Sequence, residues 1–439
     1  MIVMKFGGSS VNGADRIRQV IEIVRKALDR KPVVVVSAFR GVTDDLIKLA
    51  HDAVAGELAG LERIQERHFE AIDKLGVERS LVRENFSELS VLIRGVSLVK
   101  ELTPRSLDYV VSFGERASSR IIAAAFNKAG IPASPHDAFD VGMITNDDFG
   151  QANPLPEAEM ELKRHLGKIR DLPVVTGYIG KTVTGDITTL GRNGSDYTAT
   201  IIGAALAVEE IQLWTDVDGV MTADPNIVAG AKSLEVLSFE ECSELAYYGG
   251  RSLHPYTLLP AIRKNIPIRV LNTFRPESRG TMVLAKAEHS RKGVKSIAYK
   301  RRQFIVNVAS PRMLMAHGVL NKIFEIFARH EIVINVVSTS EISVSVTTDS
   351  PRNLDKAIKE LSGQFEVSVE KDKAIICVVG DGIKTLPGIA GDVFGAMKEA
   401  GVNVDMISQG ASKINLAFVI NVADVTPAVQ ALHTRFFGA

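Results

Sequence analysis

Short apolar runs that alternate with helical patterns constrain this chain more than any other feature. Residues 2–6, 32–37, 173–177, 211–215 and 266–270 are mostly apolar and read as strands, with helical patterns between them. Strands buried on both faces and separated by helices form mainly parallel sheets sandwiched by helices. An α/β domain is therefore expected over residues 1–287. Between Thr43 and Leu102 the pattern is helical and charged, without a strand, and it predicts a helical insertion over about 44–102.

The pattern changes after residue 287. Lys286, Glu288, His289, Arg291, Lys292 and Lys295 make a charged connection, and residues 288–303 read as a linker. Beyond it the order strand, helix, strand, strand, helix, strand runs through 304–309, 317–328, 332–337, 342–347, 354–361 and 365–370. It recurs as a strand at 374–379, a helix at 388–400, strands at 402–408 and 416–421, and a final helix at 425–435. Two ferredoxin-like βαββαβ modules are expected from this order, over 304–371 and 372–439. The second lacks a last strand of its own. The segment 294–299 is expected to supply it, which would make the first module an insertion within the second.

Composition narrows the partners. The 52 basic and 52 acidic residues balance, which gives no reason to expect nucleic acid or an anionic membrane as a partner. No apolar run reaches membrane-spanning length, and no secretory leader pattern opens the sequence. Cys242 and Cys377 stand far apart and outside any Cys/His ligand spacing. Neither a disulfide framework nor a protein-held metal is expected, and a reducing cytoplasm is the expected setting.

Reactive side chains gather at the strand ends. Lys5 lies in the first run, and Gly7, Gly8, Ser9 and Ser10 follow it. The glycines let backbone amides approach an anion, and the dipole of a helix expected over 14–28 favours negative charge there. Glu115, in Ser112-Phe-Gly-Glu-Arg-Ala-Ser-Ser119, is expected at a turn into a helix, either as a capping acid or as a ligand for an ammonium group. Between Thr188 and Ala199, Gly191 and Gly194 stand among hydroxyl side chains. There Arg192 can clamp a carboxylate, and Asp196 opens a helix as a dipole complement or as part of a site. After the run ending at Thr215, the acids Asp216, Asp218 and Asp224 lack the terminal glutamate of an EF-hand. They fit a nucleotide loop at the carboxyl edge of a sheet. Gly177-Tyr-Ile-Gly-Lys-Thr182 has Val175 where a P-loop needs its first glycine, and no GxGxxG follows a strand.

Taken in order, Lys5-Phe-Gly-Gly-Ser-Ser-Val11, Ser112-Phe-Gly-Glu115, Pro173-Val-Val-Thr-Gly-Tyr-Ile-Gly180, Thr189-Leu-Gly-Arg-Asn-Gly-Ser-Asp196 and Trp214-Thr-Asp-Val-Asp-Gly219 resemble the aspartate kinase family. The resemblance covers essentially the whole chain. It implies an amino-acid-kinase-type domain, two ACT modules, and ATP-dependent phosphorylation of the β-carboxylate of L-aspartate (EC 2.7.2.4), the first step towards lysine, threonine and methionine. It implies that Lys5 neutralises the transferring phosphoryl group and that Asp196 is the second catalytic residue, organising Lys5. Glu115 and Arg192 would hold the α-amino and α-carboxylate groups of aspartate, with Ser37 and Thr43 nearby. Gly7, Gly8 and Ser9 would contact phosphates, and Thr215, Asp216, Met221, Asn226 and Arg251 the nucleotide, which would bring Mg²⁺ with it. Asn226 stands where the family often has arginine, Arg251 where it has lysine, and Met221 where it has tyrosine.

The tail implies a homodimer or dimer of dimers through the ACT modules. It also implies feedback inhibition at a segment holding Met313, Gly318, Val319 and Leu320, which faces Val333, Asn335, Ser340 and Glu341. Lysine is favoured over threonine as the effector, although Asn335 replaces an acid usual in the lysine-sensitive type. A monofunctional enzyme is expected, since no homoserine dehydrogenase sequence follows the second module. The alternatives are another amino-acid kinase of the same fold and a catalytically inactive amino-acid sensor.

Overall fold

The computed structural model describes residues 1–249, 255–287, 293–310, 317–409 and 414–438. They divide into two compact units that exchange segments. The first comprises Met1–Val220, Ser233–Phe239 and the described part of Ser252–Glu288; the second comprises Met221–Lys232 and the described parts of Glu240–Arg251 and His289–Ala439.

The first unit is built on an eight-stranded sheet in the order β3 (Ala133–His136), β4 (Leu172–Thr176), β2 (Pro32–Val36), β1 (Ile2–Phe6), β7 (Glu210–Thr215), β9 (Ile268–Asn272), β10 (Thr281–Leu284) and β8 (Val236–Ser238). β9 and β10 pair antiparallel, and the other neighbours are parallel. A separate hairpin joins β5 (Ile179–Lys181) to β6 (Ile187–Thr189). β1 lies at the centre, with Lys5 level with Val35 on one side and Leu213 on the other. Because β1, β2, β4, β7 and β9 are parallel, the residues that follow them all leave at one edge of the sheet.

The helices of this unit are α1 (Ala14–Arg25), α2 (Val42–Val54), α3 (Gly60–Leu75), α4 (Arg83–Val99), α5 (Pro104–Lys128), α6 (Glu157–Leu166), α7 (Gly194–Leu206) and α9 (Pro255–Lys264); α8 (Phe239–Tyr247) falls almost wholly in the second unit. Ile17, Val20 and Val24 of α1, Leu46 and Leu49 of α2, and Ile121, Ile122 and Phe126 of α5 share one core with β1 and β2. Two expectations need correction here. The first helix ends at Arg25, and Leu28 opens a separate short 3₁₀ turn because Ala27 leaves helical geometry (φ −114°). The segment 112–119 is no turn: it lies in the middle of the 25-residue α5. Gly114 is present because close packing demands it, since a Cβ there would stand 2.8 Å from the Ala38 Cβ.

The second unit has a six-stranded antiparallel sheet in the order β12 (Val337–Thr339), β13 (Ser343–Thr348), β11 (Ser296–Ala309), β14 (Glu366–Val379), β16 (Asn415–Asn421) and β15 (Met406–Ser408). It is covered by α10 (Val319–Arg329), α11 (Leu354–Ser362), α12 (Ile389–Glu399) and α13 (Val425–Phe437). The expected short strands fuse: 365–370 and 374–379 are one continuous β14. In β11, Ser296–Lys300 pairs with Ile375–Val379, and Ile305–Ala309 pairs with Glu366–Glu370, either side of a bulge at 300–303. The polar stretches Lys300-Arg-Arg-Gln303 and Lys371-Asp-Lys373 read as breaks but run through the middle of both strands. The strands expected at 332–337 and 402–408 shrink to β12 and β15. In each case pairing upstream is reduced to isolated backbone bonds, from Asn335 to the Thr347 carbonyl and from Asp405 to the Val419 carbonyl. Among the described residues no helix is long and apolar enough to cross a membrane.

Candidate active site

The carboxyl edge of the first sheet collects the sequence candidates. β1 delivers Lys5, whose Nζ lies 2.5 Å from Asp196 Oδ1 in the first turn of α7, with both side chains about nine-tenths buried. Asp196 reaches that position because the start of α7 packs tightly on the end of β4, where a Cβ on Gly177 would come within 2.5 Å of Ser195. A pair so placed keeps the ammonium fixed beside the glycine turn. Gly7 N donates to the Trp214 carbonyl, and the amides of Ser10 and Val11 return to the Gly7 carbonyl. The turn is thus closed by its own backbone, and α1 begins only at Ala14. Ser9 is half-buried, whereas Ser10 is buried with its Oγ 2.7 Å from Thr273 Oγ1, joining the ends of β1 and β9.

Glu115 is 3% exposed and holds the loop after β2: the Ala38 amide donates to its Oε1 at 3.1 Å. Its Oε2 has no hydrogen-bond partner among the described residues. Burial pushes its carboxyl up to about 8, against the opposing effect of the Ala38 amide. A buried carboxyl with one free oxygen is suited to a cationic ligand group, which would restore its charge. Ser37 and Thr43 flank this loop, Thr43 in the first turn of α2; both are half-buried. Arg192 is exposed in the turn that Asn193 closes with left-handed geometry (φ +56°) before α7. After β7, Thr215 Oγ1 donates to the exposed Asp216.

Asp108, which was not among the sequence candidates, braces the segments that lead to Arg192. Buried in α5, it accepts from the amides of Gly150 and Thr189 (2.9 and 2.8 Å) and from Thr189 Oγ1 (2.8 Å), and burial raises its pKa. It thereby fixes the end of β6, from which the Arg192 turn starts. Its signal was an acid seven residues before Glu115, on the same face of the helix.

Other candidates lie elsewhere. Met221 and Asn226 belong to the second unit, where Asn226 donates twice to Asp224 Oδ1 and Tyr299 donates to Asp224 Oδ2. Arg251 and Met313 fall outside the described residues. Gly318 caps α10 with φ +78°, half-buried Val319 and exposed Leu320 begin that helix, and Val333, Ser340 and Glu341 are exposed. The side chain of Asn335 is already engaged: Tyr247 and Lys300 donate to its Oδ1, and its Nδ2 donates to Gln303.

Comparison with known proteins gives this arrangement a family. The amino acid kinase family profile matches residues 1–272, and an ACT domain profile matches 376–436. Aspartokinase 3, chloroplastic, of Arabidopsis thaliana is 41% identical over 99% of this chain and 81% of its own length. The crystal structure of Escherichia coli aspartokinase III with aspartate and ADP (R-state) superposes with a TM-score of 0.87 at 32% identity, covering 100% of both chains. The same enzyme with lysine and aspartate (T-state) gives 0.80 at 33%, covering 100% of this chain and 99% of that one. The chain belongs to the amino acid kinase family. Within it the chain falls among the aspartokinases (EC 2.7.2.4), ATP-using kinases of aspartate-family amino-acid biosynthesis, and it carries an ACT regulatory region.

Proposed function

We propose that the carboxyl edge of the first sheet transfers the γ-phosphoryl group of ATP to the β-carboxylate of L-aspartate, and that the Lys5–Asp196 pair is its electrostatic centre. The observation that carries this reading is that pair: an ammonium held between the central strand and the start of α7, beside the glycine turn. Lys5 neutralises charge on the transferring group, and Asp196 keeps it aimed. Gly7, Gly8 and Ser9 cradle phosphates, and Thr215 and Asp216 bind the nucleotide; for Met221, Asn226 and Arg251 the family resemblance alone suggests a nucleotide role. Glu115 takes the α-amino group through its free Oε2, Arg192 takes the α-carboxylate, and Ser37 and Thr43 line the pocket. Aspartate and ADP are the ligands of the E. coli relative.

Among the described residues no group of three or more His, Cys, Asp or Glu side chains could hold a metal. Mg²⁺ borne by the nucleotide, with phosphate oxygens and water as its main ligands, is the form this site suits, and it supplies charge neutralisation. A carboxylate is already a nucleophile near neutral pH, so no general base is needed and rate comes from alignment and charge.

The second unit is the regulatory part, inhibited by an end-product amino acid at Gly318–Leu320 and 333–341, with lysine favoured over threonine; lysine is bound in the T-state relative. Exposed Leu320, Val333, Val337 and Ile342 suit pairing of two copies through the ACT modules. The two buried free cysteines suit a reducing compartment such as the cytoplasm.

Trapping the acyl phosphate as a hydroxamate, with aspartate, glutamate and acetylglutamate in parallel, tests the reaction. Only aspartate should give product. Lys5→Ala should lose several orders of magnitude in kcat, whereas Arg192→Ala should mainly raise KM for aspartate. Near-normal turnover of Lys5→Ala would sink the assignment. Inhibition by lysine at concentrations where threonine has no effect would support the effector choice, and insensitivity to lysine would reverse it.

A further inference from the structure

Helix α3 belongs to the helical insertion, yet its middle grips both loops that open the site. Arg67 Nη2 donates to Asn12 Oδ1 at 2.7 Å, on the loop after β1, and also to the Arg40 carbonyl, on the loop after β2. Its Nη1 lies 3.7 Å from Asp45 in the first turn of α2. The next residue, His68, stacks on Phe39 with ring centroids 4.9 Å apart. The loops also meet each other: Arg40 N donates to the Gly8 carbonyl at 3.2 Å, and a Cβ on Gly8 would come within 2.9 Å of the Ala38 carbonyl oxygen. Ala38 in turn donates to Glu115. The phosphate turn, the 37–41 loop and Glu115 therefore form one hydrogen-bonded body, and Arg67 spans it from outside.

We infer that Arg67 is a positioning residue for phosphoryl transfer: by bridging Asn12 and Arg40 it fixes the spacing between the phosphate turn and the aspartate-side loop. This rests on the reading of the site under Proposed function. In-line transfer to a ready-made carboxylate depends on the approach of two bound groups, and a displacement of about 1 Å costs such a reaction about a hundredfold. Arg67 is suited to the task because Nη2 donates to both Asn12 and Arg40 while Nη1 faces Asp45, and a lysine with one nitrogen cannot hold all three directions at once. No contact of Arg67 with substrate is required.

The test is steady-state kinetics of Arg67→Ala, Arg67→Lys, Asn12→Ala and the Arg67→Ala/Asn12→Ala pair in the full chain, with thermal unfolding followed alongside. Arg67→Ala should lower kcat about tenfold or more while KM for ATP and aspartate stay within about threefold, and Arg67→Lys should recover part of the loss. Asn12→Ala should show a smaller loss, and the double variant should match Arg67→Ala within about twofold, as expected for one shared interaction. A kcat for Arg67→Ala within about twofold of wild type, or losses that multiply in the double variant, would overturn the inference. If Arg67→Ala fails to fold, Asn12→Ala decides, because its side chain is exposed: a wild-type kcat there is equally fatal. Lys5→Ala separates the two failures. An inactive Lys5→Ala beside an unaffected Arg67→Ala removes only the role of Arg67, whereas an active Lys5→Ala removes the site itself.

Discussion

Glu115 shows how one residue can be legible in type and misread in setting. Its acid character after a Ser-Phe-Gly stretch suggested a helix start, but it lies buried in mid-helix with a carboxyl pushed up to about 8. In the free enzyme near pH 7 it is largely protonated, and binding an ammonium group favours its ionised form, so a proton must leave when aspartate binds. KM for aspartate should therefore fall as pH rises from about 6 to 8 and level off above that. In Glu115→Gln the dependence should disappear and KM should be higher throughout. The same shift acts on folding. A carboxyl whose folded pKa lies above its unfolded value favours the folded state fully below about 4.5, and that contribution is lost as pH rises through 8. A flat KM profile in wild type would show that Glu115 does not meet the substrate's ammonium. Lys5 and Asp196 were legible one by one, as a strand lysine before a glycine turn and a helix-opening acid. Their pairing is implied by the family resemblance and by no local pattern, because it is made by strand order and helix packing between distant segments.

At the scale of elements, the central strands were readable because burial on both faces leaves unbroken apolar text, as in Val33 to Val36. The minor strands β3, β8 and β10 are short or mixed in character and gave no such signal. In β11 and β14 the polar segments mid-strand read as breaks because the two halves serve different modules. The helical insertion was legible as helices, but its use was not: α3 supplies His68, sandwiched between Phe39 and Phe86 with Nδ1 2.7 Å from the Ile64 carbonyl. Burial lowers the His68 pKa to about 4, helped by the Arg67 charge and opposed by the Ile64 carbonyl. The unfolded chain takes up that proton first, near pH 6.5, so His68 favours the folded state above that value and the advantage is lost as pH falls towards 4. The loss is about 3 kcal/mol. Urea unfolding of wild type and His68→Leu at pH 7 and pH 4 should show the variant less sensitive to acid by roughly that amount, even if it is weaker at pH 7 through the lost hydrogen bond. Parallel losses in both proteins would place the acid sensitivity elsewhere.

At the scale of the molecule, the chain does not divide where the sequence changes character. The composition shift near 287 suggests that residues before it make a self-sufficient catalytic domain. Yet Met221–Lys232 belongs to the second unit. There Ala223 lies in the core with Ile376, Phe418 and Leu432, and Ile227 and Val228 pack against it. Thr222 Oγ1 is 3.0 Å from His433 Nε2, Tyr299 donates to Asp224, and Gln430 donates to the Ile227 carbonyl. On α8, Glu241 is buried against Lys295 at 2.6 Å, and Asn415 donates to Glu244. A chain ending at 287 would strip all of these partners from segments that lie between β7 and α9, taking Lys295 from Glu241 and leaving Ala223, Ile227 and Val228 facing water. Residues 1–287 expressed alone should therefore aggregate or, if soluble, bind ATP far more weakly than the full chain, because the segments inserted between β7 and α9 have lost the sheet they pack on. Size-exclusion chromatography and KM for ATP give the answer. A soluble monomer with wild-type KM for ATP would mean that these segments settle correctly without the regulatory unit, and that the interleaving of the chain has no bearing on nucleotide binding.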